Sequence, residues 1–178
     1  APSVLQYDTD ERCVVIHGVS KSYSMTGYRI GFSRASRAYT QIAAKMQEPF
    51  VSCGTAFSQM GALAALEGPQ DCVAEMTAAY KRRRDIALEV LRDRGLYRYT
   101  PGGAFYVMVD VSATGMDSHD VALALIREKR VAVAPGSTFG KLSAGQVRVS
   151  VASKDEDVRE GVKRICDFVE EKAAGRKS

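Results

Sequence analysis

Two residues near the start of the chain suggest chemistry because of their types and their surroundings. Lys21 follows a short apolar run, Cys13 to Ile16, and its neighbours are small enough to let a flat ligand approach the backbone. Burial favours the neutral form of an amine, which is the nucleophile that forms a Schiff base with an aldehyde. Arg29, eight residues later, stands between Gly27 and Gly31, and its planar guanidinium suits a phosphate. The segment therefore predicts a site for a compound that carries an aldehyde and a phosphate, which is the outline of pyridoxal phosphate.

Other charged and titratable residues carry weaker signals. The basic run Lys81 to Arg84 has Glu75, Asp85 and Glu89 close by in sequence. Mixed charge of this kind favours a solvated helix face over a surface that binds nucleic acid. His17 stands beside the end of the first apolar run, where we expect it to be partly buried and hydrogen-bonded rather than catalytic.

Length, charge and cysteine content limit the class of protein. The chain has 178 residues and a formal net charge of +4, which allows a buried core and does not indicate a nucleic-acid-binding protein. Its four cysteines and two histidines have no zinc-ligand spacing, so we expect free, mostly buried thiols in a reducing compartment, the cytoplasm. No apolar run approaches the ~20 residues that cross a bilayer, and no signal peptide opens the sequence. The first residues resemble the interior of a protein sequence, so we expect a fragment.

Hydrophobic periodicity and helix signals predict the elements that position these residues. A polar loop is expected at residues 18–22, and the last residues, 174–178, are expected to fray. The predicted strands cover residues 13–16, 28–32, 105–109, 131–134 and 147–151. The predicted helices cover residues 38–47, 57–67, 72–94, 117–129 and the stretch from 153 onward.

Particular residues set several of these boundaries. The helix at 38–47 is expected to stop before Pro49, and the last helix to begin with a capping box formed by Ser153 and Glu156. Asp117 or Ser118 caps the helix that is expected to reach residue 129. The apolar stripe of the last helix consists of Val158, Val162, Ile165, Cys166 and Val169.

A change in composition near residues 68–71 predicts two parts. Residues 1–70 complete a larger α/β sheet, and residues 71–178 form a compact α+β unit in which helices cover three or four strands. The fold class is therefore α/β, with an α+β second part.

The segment from Gly18 to Gly31 resembles the cofactor-lysine signature of the class I and II aminotransferases, fold type I enzymes that use pyridoxal 5'-phosphate. In that family a Ser-Lys pair is followed by an aromatic residue, Met or Leu, Gly, and then Arg and Gly at fixed spacing. The matching positions are Lys21, Met25, Gly27, Arg29 and Gly31. Many members have Ser or Thr where this chain has Gly18, so one phosphate contact is absent or supplied elsewhere.

The resemblance implies a role for each of three residues in this segment. Lys21 forms the internal aldimine with the cofactor and later moves a proton between the substrate α-carbon and the cofactor. Arg29 binds the cofactor phosphate, and Ser20 adds a hydroxyl to the same phosphate. Asp8 and Asp10 are too close to Lys21 to be the acidic partner of the pyridinium nitrogen.

The resemblance continues downstream and covers nearly the whole chain. Residues 101–106 are similar to the Pro-x-Gly-x-Phe-Tyr stretch that opens the small domain's sheet, and residues 133–140 to the Pro-Gly-Ser-x-Phe-Gly loop near the substrate. Residues 146–150 are similar to the Arg-x-Ser strand, in which the arginine holds the substrate α-carboxylate by a two-pronged salt bridge. This implies a substrate-binding role for Arg148, while Tyr106 and Phe139 are expected in the core or the pocket wall.

The family resemblance also implies the larger architecture and what the chain lacks. Residues 1–70 correspond to the end of the large cofactor-binding α/β domain, and residues 71–178 to the small C-terminal domain of the aspartate-aminotransferase-like fold. The pyridinium-pairing Asp, the Gly-rich phosphate loop, the ring-stacking aromatic residue and an Asn all belong upstream in that family. We therefore expect a C-terminal portion that is inactive alone, and a homodimer when the protein is whole.

Three alternatives to an aminotransferase of amino-acid metabolism stay open from the sequence. A β-lyase or a cyclopropane-forming synthase of the same fold would have the same Lys21, Arg29 and Arg148. The sensor domain of a transcription regulator also resembles these enzymes, with a DNA-binding module upstream. A portion that folds and does no chemistry is the last alternative.

Overall fold

The computed structural model describes residues 3–176, which form two compact units. The first unit extends to Met76 and the second begins at Thr77. The proposed identity of residues 1–70 and 71–178 with the two domains of the family stays a prediction. In residues 3–176, no helix combines the length and the apolar character that a membrane crossing requires.

The first unit contains a two-stranded antiparallel sheet and helices. Strand β1 (Val15–Gly18) leads directly into the single helical turn α1 (Val19–Ser22), and strand β2 (Gly31–Arg34) follows a 3-10 turn at Thr26–Tyr28. Helix α2 (Arg37–Val51) and helix α3 (Ala56–Glu67) come next, and helix α4 (Asp71–Asp93) begins in this unit and continues into the second.

Glycines set the close approach of β1 and β2. The register pairs Gly18 with Gly31 and His17 with Phe32. A Cβ atom on Gly31 would lie 2.7 Å from the carbonyl oxygen of His17, so the pairing leaves no room for a side chain there. Gly27, in contrast, has no atom within 4 Å of such a position. Of the two glycines around Arg29, only Gly31 is required by crowding.

Several predictions for the first unit are wrong in detail. The expected polar loop at 18–22 is the helical turn α1, and the second strand begins at Gly31 rather than at residue 28. Helix α2 continues through Pro49 to Val51, so the expected stop before Pro49 is wrong, and the proline lies in the last turn of the helix. The first strand is not buried, since Ile16 is 81% exposed on a ribbon of only two strands.

The second unit is built on a three-stranded antiparallel sheet. Its strands are β3 (Tyr106–Asp110), β4 (Ala134–Pro135) and β5 (Gln146–Ser150), in the order β3-β5-β4. Alternate residues of β3 and β5 point to opposite faces, as the period of a strand requires. Val147 and Val149 are buried, while Arg148 lies half-buried on the other face, paired with Met108.

Helices cover the apolar face of this sheet. Helix α5 (Ser118–Ala124) continues as a π-helical turn at Leu125–Lys129, and helix α6 (Asp155–Gly175) ends the described chain. The predicted stripe of α6 is confirmed, because all five of its members are buried. Together with α4, the sheet and helices enclose one core, which consists of Ala87, Leu88, Leu91, Val107, Val109, Val111, Val121, Leu125, Val147, Val149, Val151, Val158, Val162, Ile165, Cys166, Phe168 and Val169.

Helix and strand ends in this unit differ from the expectations at two places. Strand β4 has only two residues, since Pro135 has no N–H to continue the ladder. The capping box at Ser153 does not form, because the N-cap residue of α6 is Lys154 and its side chain makes no capping bond. The cap of α5 is confirmed, with the Asp117 side chain accepting from the backbone N–H of His119 at 2.8 Å. The expected fraying lies partly outside the described residues.

Arg94 joins α4 to α6 by a fork of ion pairs. Its Nε and Nη2 atoms each donate to Glu170 at 2.8 Å, and Nη2 also donates to Asp167. The hydrogen bond from Arg94 lowers the pKa of Glu170 below its ordinary value. Another ion pair between these helices, Arg159 with Glu89 at 3.0 Å, is more exposed and involves one carboxylate.

Candidate functional site

Lys21 lies where a strand ends and a helical turn begins. Gly18, the last residue of β1, is the N-cap of the turn α1 and keeps an extended backbone, and Val19, the first residue of the turn, has only 1% of its surface exposed. This arrangement directs the chain away from the strand and leaves Lys21 exposed, with Ser20 partly buried beside it. Lys21 therefore lies at the strand end, as predicted, but it is exposed, so the expected burial of its amine is wrong.

Arg29 occupies the far end of the same connection, just before β2. Its backbone is left-handed, with φ 51° and ψ 43°, a conformation that is uncommon for residues other than glycine. The guanidinium is exposed and donates from Nη1 to the carbonyl of Thr26 at 2.9 Å. The remaining guanidinium donors point to no acceptor within residues 3–176, so they are free to receive an anion.

The connection that carries Lys21 and Arg29 is attached to the helices of the first unit. Tyr23 donates its hydroxyl to Gln70 at 2.8 Å. The ring of Tyr28 packs so closely on α3 that a Cβ atom on Gly61 would lie 2.9 Å from its Cε1 atom. These contacts, between residues distant in sequence, hold a segment that has little regular structure of its own.

Arg148 in the second unit contacts aromatic rings instead of carboxylates. Its guanidinium carbon lies over the Tyr106 ring at 4.1 Å and over the Phe139 ring at 4.3 Å from the centroids. No carboxylate of residues 3–176 pairs with it, and its N–H groups make no hydrogen bond to those residues. A half-buried guanidinium that is held by aromatic faces and lacks an anion is equipped to bind a carboxylate. Tyr106 and Phe139 are thus the two rings that contact the Arg148 guanidinium, and their expected place in the core or a pocket wall stays a prediction.

A tight turn positions the Phe139 ring over Arg148. It is the 3-10 turn Gly136–Phe139, which follows β4. A Cβ atom on Gly136 would lie 2.0 Å from the carbonyl oxygen of Ser143, so only glycine fits. The turn is also bound to the start of α5, where Ser118 is fully buried and hydrogen-bonds to Ser137. Sequence reasoning assigned Ser118 only a capping role, because nothing local relates residues that are 19 positions apart.

The remaining candidate residues lie outside these two regions. His17 is exposed and stacks on Phe32 at 5.5 Å, so the prediction of partial burial is wrong. The cysteines are free, but only Cys166 is buried, so the prediction of mostly buried thiols is also wrong. Burial raises the pKa of the Cys166 thiol to about 11, which keeps it protonated and unreactive at neutral pH.

The basic run of α4 is neutralised by neighbouring acids. Lys81 and Arg84 pair with Asp85, and Arg82 and Arg83 both pair with Asp155 of α6. Each cation therefore has a carboxylate partner, as expected of a helix face with mixed charge.

The chain belongs to the aminotransferase class I and II family. The model of this family matches residues 2–165, which include Lys21, Arg29 and Arg148. The fold is a portion of the aspartate-aminotransferase-like fold, as the solved structures similar to it indicate.

Several members of this family are similar to the chain in sequence or in structure. It is 39% identical over 177 residues to the aspartate aminotransferase of Sulfurisphaera tokodaii, covering 94% of this chain and 44% of that protein. It matches the aromatic aminotransferase of Pyrococcus horikoshii OT3 with a TM-score of 0.88 and 35% identity, over 95% of this chain and 46% of that one. For the aspartate aminotransferase of Thermotoga maritima the TM-score is 0.81 and the identity 36%, over 90% and 40% of the two chains. The chain spans less than half the length of these proteins.

Proposed function

We propose that this chain is the lysine-bearing portion of a pyridoxal-phosphate-dependent aminotransferase that moves an amino group from an amino acid to a 2-oxo acid. The observation that carries the proposal is the connection between β1 and β2. It presents the Lys21 amine at one end and guanidinium donors of Arg29 without a protein acceptor at the other. Membership of the aminotransferase family supports the proposal for the chemistry as a whole.

The donor set of the connection fits the cofactor. An exposed amine provides the nucleophile for an aldehyde, and the free guanidinium donors of Arg29 provide the fork that a phosphate accepts. Ser20, partly buried beside the lysine, has a hydroxyl to add to the phosphate. Gly18 and Gly31 pair across the strands at the end that leads to Lys21.

Each of three residues has one task in the proposed reaction. When bound, pyridoxal phosphate supplies an electron sink that makes the substrate α-proton acidic. Lys21 would hold the cofactor, and its Nζ atom would accept the α-proton of the substrate and return it. Arg29 fixes the phosphate end. Arg148 receives the substrate carboxylate in the plane of its guanidinium, which orients the α-carbon.

Partners and context follow from the same family relation. We expect the whole protein to act as a homodimer in the cytoplasm, with amino-acid and 2-oxo-acid substrates. Residues 1–178 alone are expected to show no turnover, since the chain spans less than half the length of the aminotransferases that it resembles.

Covalent trapping tests the assignment of Lys21. The full-length protein, as wild type and as Lys21→Ala, is incubated with pyridoxal phosphate, reduced with borohydride and digested for peptide mass mapping. We expect the label on the peptide that contains Lys21 in the wild type and no labelled peptide from this segment in the variant. Lys45→Ala, which removes an exposed lysine from α2, is the matched control and should trap cofactor as the wild type does.

Two results would contradict the proposal. Equal trapping by wild type and Lys21→Ala would show that Lys21 is not the residue that forms the imine with the cofactor. Release of more than one equivalent of product per bound cofactor from an amino acid alone, without a 2-oxo acid as acceptor, would identify a lyase, because an aminotransferase stops once its cofactor holds the amino group.

A further inference from the structure

Ser118 has an unusual pair of hydrogen bonds for a residue at a helix start. Its side chain is fully buried, and both of its bonds go to the same residue on another element. The Ser118 hydroxyl donates to the Ser137 hydroxyl at 3.0 Å and accepts from the Ser137 backbone N–H at 3.2 Å. It therefore connects α5 to the turn that follows β4.

This turn is otherwise stabilised mainly by bonds within itself. Thr138 donates its hydroxyl to the Pro135 carbonyl at 2.7 Å, and Gly140 closes the turn with a bond to Ser137 at 3.3 Å. Phe139, at its end, is 48% exposed, so burial alone does not hold the ring in place. The Ser118 hydroxyl restrains the turn two residues before Phe139.

We propose that Ser118 is a positioning residue for Arg148, acting through the Ser137 turn to keep the Phe139 ring over the guanidinium. The inference rests on the proposed function, in which Arg148 receives the substrate carboxylate. A guanidinium presents its N–H donors in its own plane. A ring held over its face therefore leaves the edge of the group open, which is the direction from which a carboxylate makes two parallel hydrogen bonds.

A reporter at Phe139 tests positioning without any ligand. The chain contains no tryptophan, so Phe139→Trp introduces a single tryptophan over a cation, where an indole also binds well. Ser118→Ala in this background should raise the acrylamide quenching constant of the tryptophan, because the turn loses its restraint. Thr114→Val is the matched control. It removes another buried hydroxyl that donates one bond and accepts one, both within its own turn, and should leave quenching unchanged.

Carboxylate binding tests the consequence for Arg148. The probe is sodium maleate, which has no amino group to transfer, titrated into the 1–178 chain with the Arg148 Nε–H resonance followed by NMR. Ser118→Ala is expected to weaken maleate binding about three- to tenfold, which is of the size that loss of a buried hydrogen bond produces. Ser137→Ala, at an exposed site that should fold normally, is expected to shift affinity in the same direction, and Thr114→Val to leave it unchanged.

The outcomes separate this inference from the proposed function. If the wild-type chain binds maleate no better than Arg148→Met, the carboxylate-binding role of Arg148 fails, and with it the reason for positioning. If the wild type binds maleate and Arg148→Met does not, while Ser118→Ala and Ser137→Ala both bind like the wild type, the role of Ser118 alone is overturned. An unchanged tryptophan quenching constant in Ser118→Ala would overturn it as well.

Discussion

At the scale of single residues, the two glycines that surround Arg29 should respond differently to the same substitution. Gly31→Ala places a methyl group 2.7 Å from a backbone oxygen of β1, which cannot move without breaking the strand pair. We expect a loss of roughly 1–3 kcal/mol in the free energy of unfolding, as for overpacking in general. Gly27→Ala enters open space and is the control, with an expected change within about 0.5 kcal/mol.

Urea denaturation followed by circular dichroism measures both variants. The same pair also reports on the proposed site, since Gly31→Ala shifts the start of β2 next to Arg29 and should weaken cofactor trapping at Lys21. Equal stability of the two alanine variants would contradict the close approach of β1 and β2.

Sequence reasoning located the chemical residues better than their surroundings. Lys21 was singled out by residue type and surroundings and Arg148 by the family resemblance, and each lies at the predicted strand end or strand face. Their environments depend on long-range contacts, which a sequence pattern does not contain. The rings over Arg148 come from β3 and from a turn, and Ser118 acts across 19 residues, so neither relation was visible beforehand.

At the scale of elements, the fork of Arg94 should make the contact between α4 and α6 sensitive to acid. The pKa of Glu170 is lowered mainly by its hydrogen bond from Arg94, so the folded state prefers the ionised carboxylate. The stabilisation is complete above the ordinary pKa of a glutamate and is lost as the pH falls through the lower folded value, from about pH 5 downward. Arg94→Met should therefore flatten the acid limb of a plot of unfolding free energy against pH.

Arg159 of α6, which pairs with Glu89 of α4, provides the comparison. Arg159→Met removes a single ion pair with Glu89 whose side chains are 53% and 58% exposed. Exposed pairs contribute little, so this variant should follow the wild-type pH profile closely. Urea unfolding midpoints of the wild type and both variants, measured between about pH 3 and pH 7, give the pH profiles to compare. Parallel profiles for wild type and Arg94→Met would show that the fork does not link stability to pH.

Helices and strands were predicted correctly where hydrophobic residues recur with a clear helical or strand period. The alternation of valines in β5 and the stripe of α6 gave both elements and both buried faces. Short segments could not be predicted in the same way, because they contain too few residues to show a hydrophobic period. The turn α1, the two-residue β4 and the missing cap at Ser153 each involve only a few backbone groups, which leave no periodic signal in the sequence.

At the scale of the whole molecule, the two units differ in how much they bury. Among residues 3–76, only Val19, Ser58 and Ala62 are buried, whereas the core of the second unit includes large side chains such as Phe168 and Leu88. Burial of apolar surface is the main stabilising term, so the second unit should open less often.

Native-state hydrogen exchange tests this difference. Amides of β3, β5 and α6 should exchange several orders of magnitude more slowly than those of β1 and β2. A matched pair of variants ties the difference to packing. Leu88→Ala, at 1% exposure, should accelerate exchange throughout the second unit, and Leu142→Ala, at 99% exposure, should not. Uniform protection across both units in the wild type would contradict the prediction.

The unneutralised charge of Arg148 has a consequence for competition with ordinary salt. Because no carboxylate of residues 3–176 cancels it, chloride in the buffer contends with any organic acid for the same guanidinium. A chloride ion offers one centre, whereas a carboxylate offers two oxygens that match the two parallel N–H groups. Rising ionic strength should therefore weaken the site for every anion through screening, while the preference for carboxylate over chloride persists, because it comes from shape instead of charge.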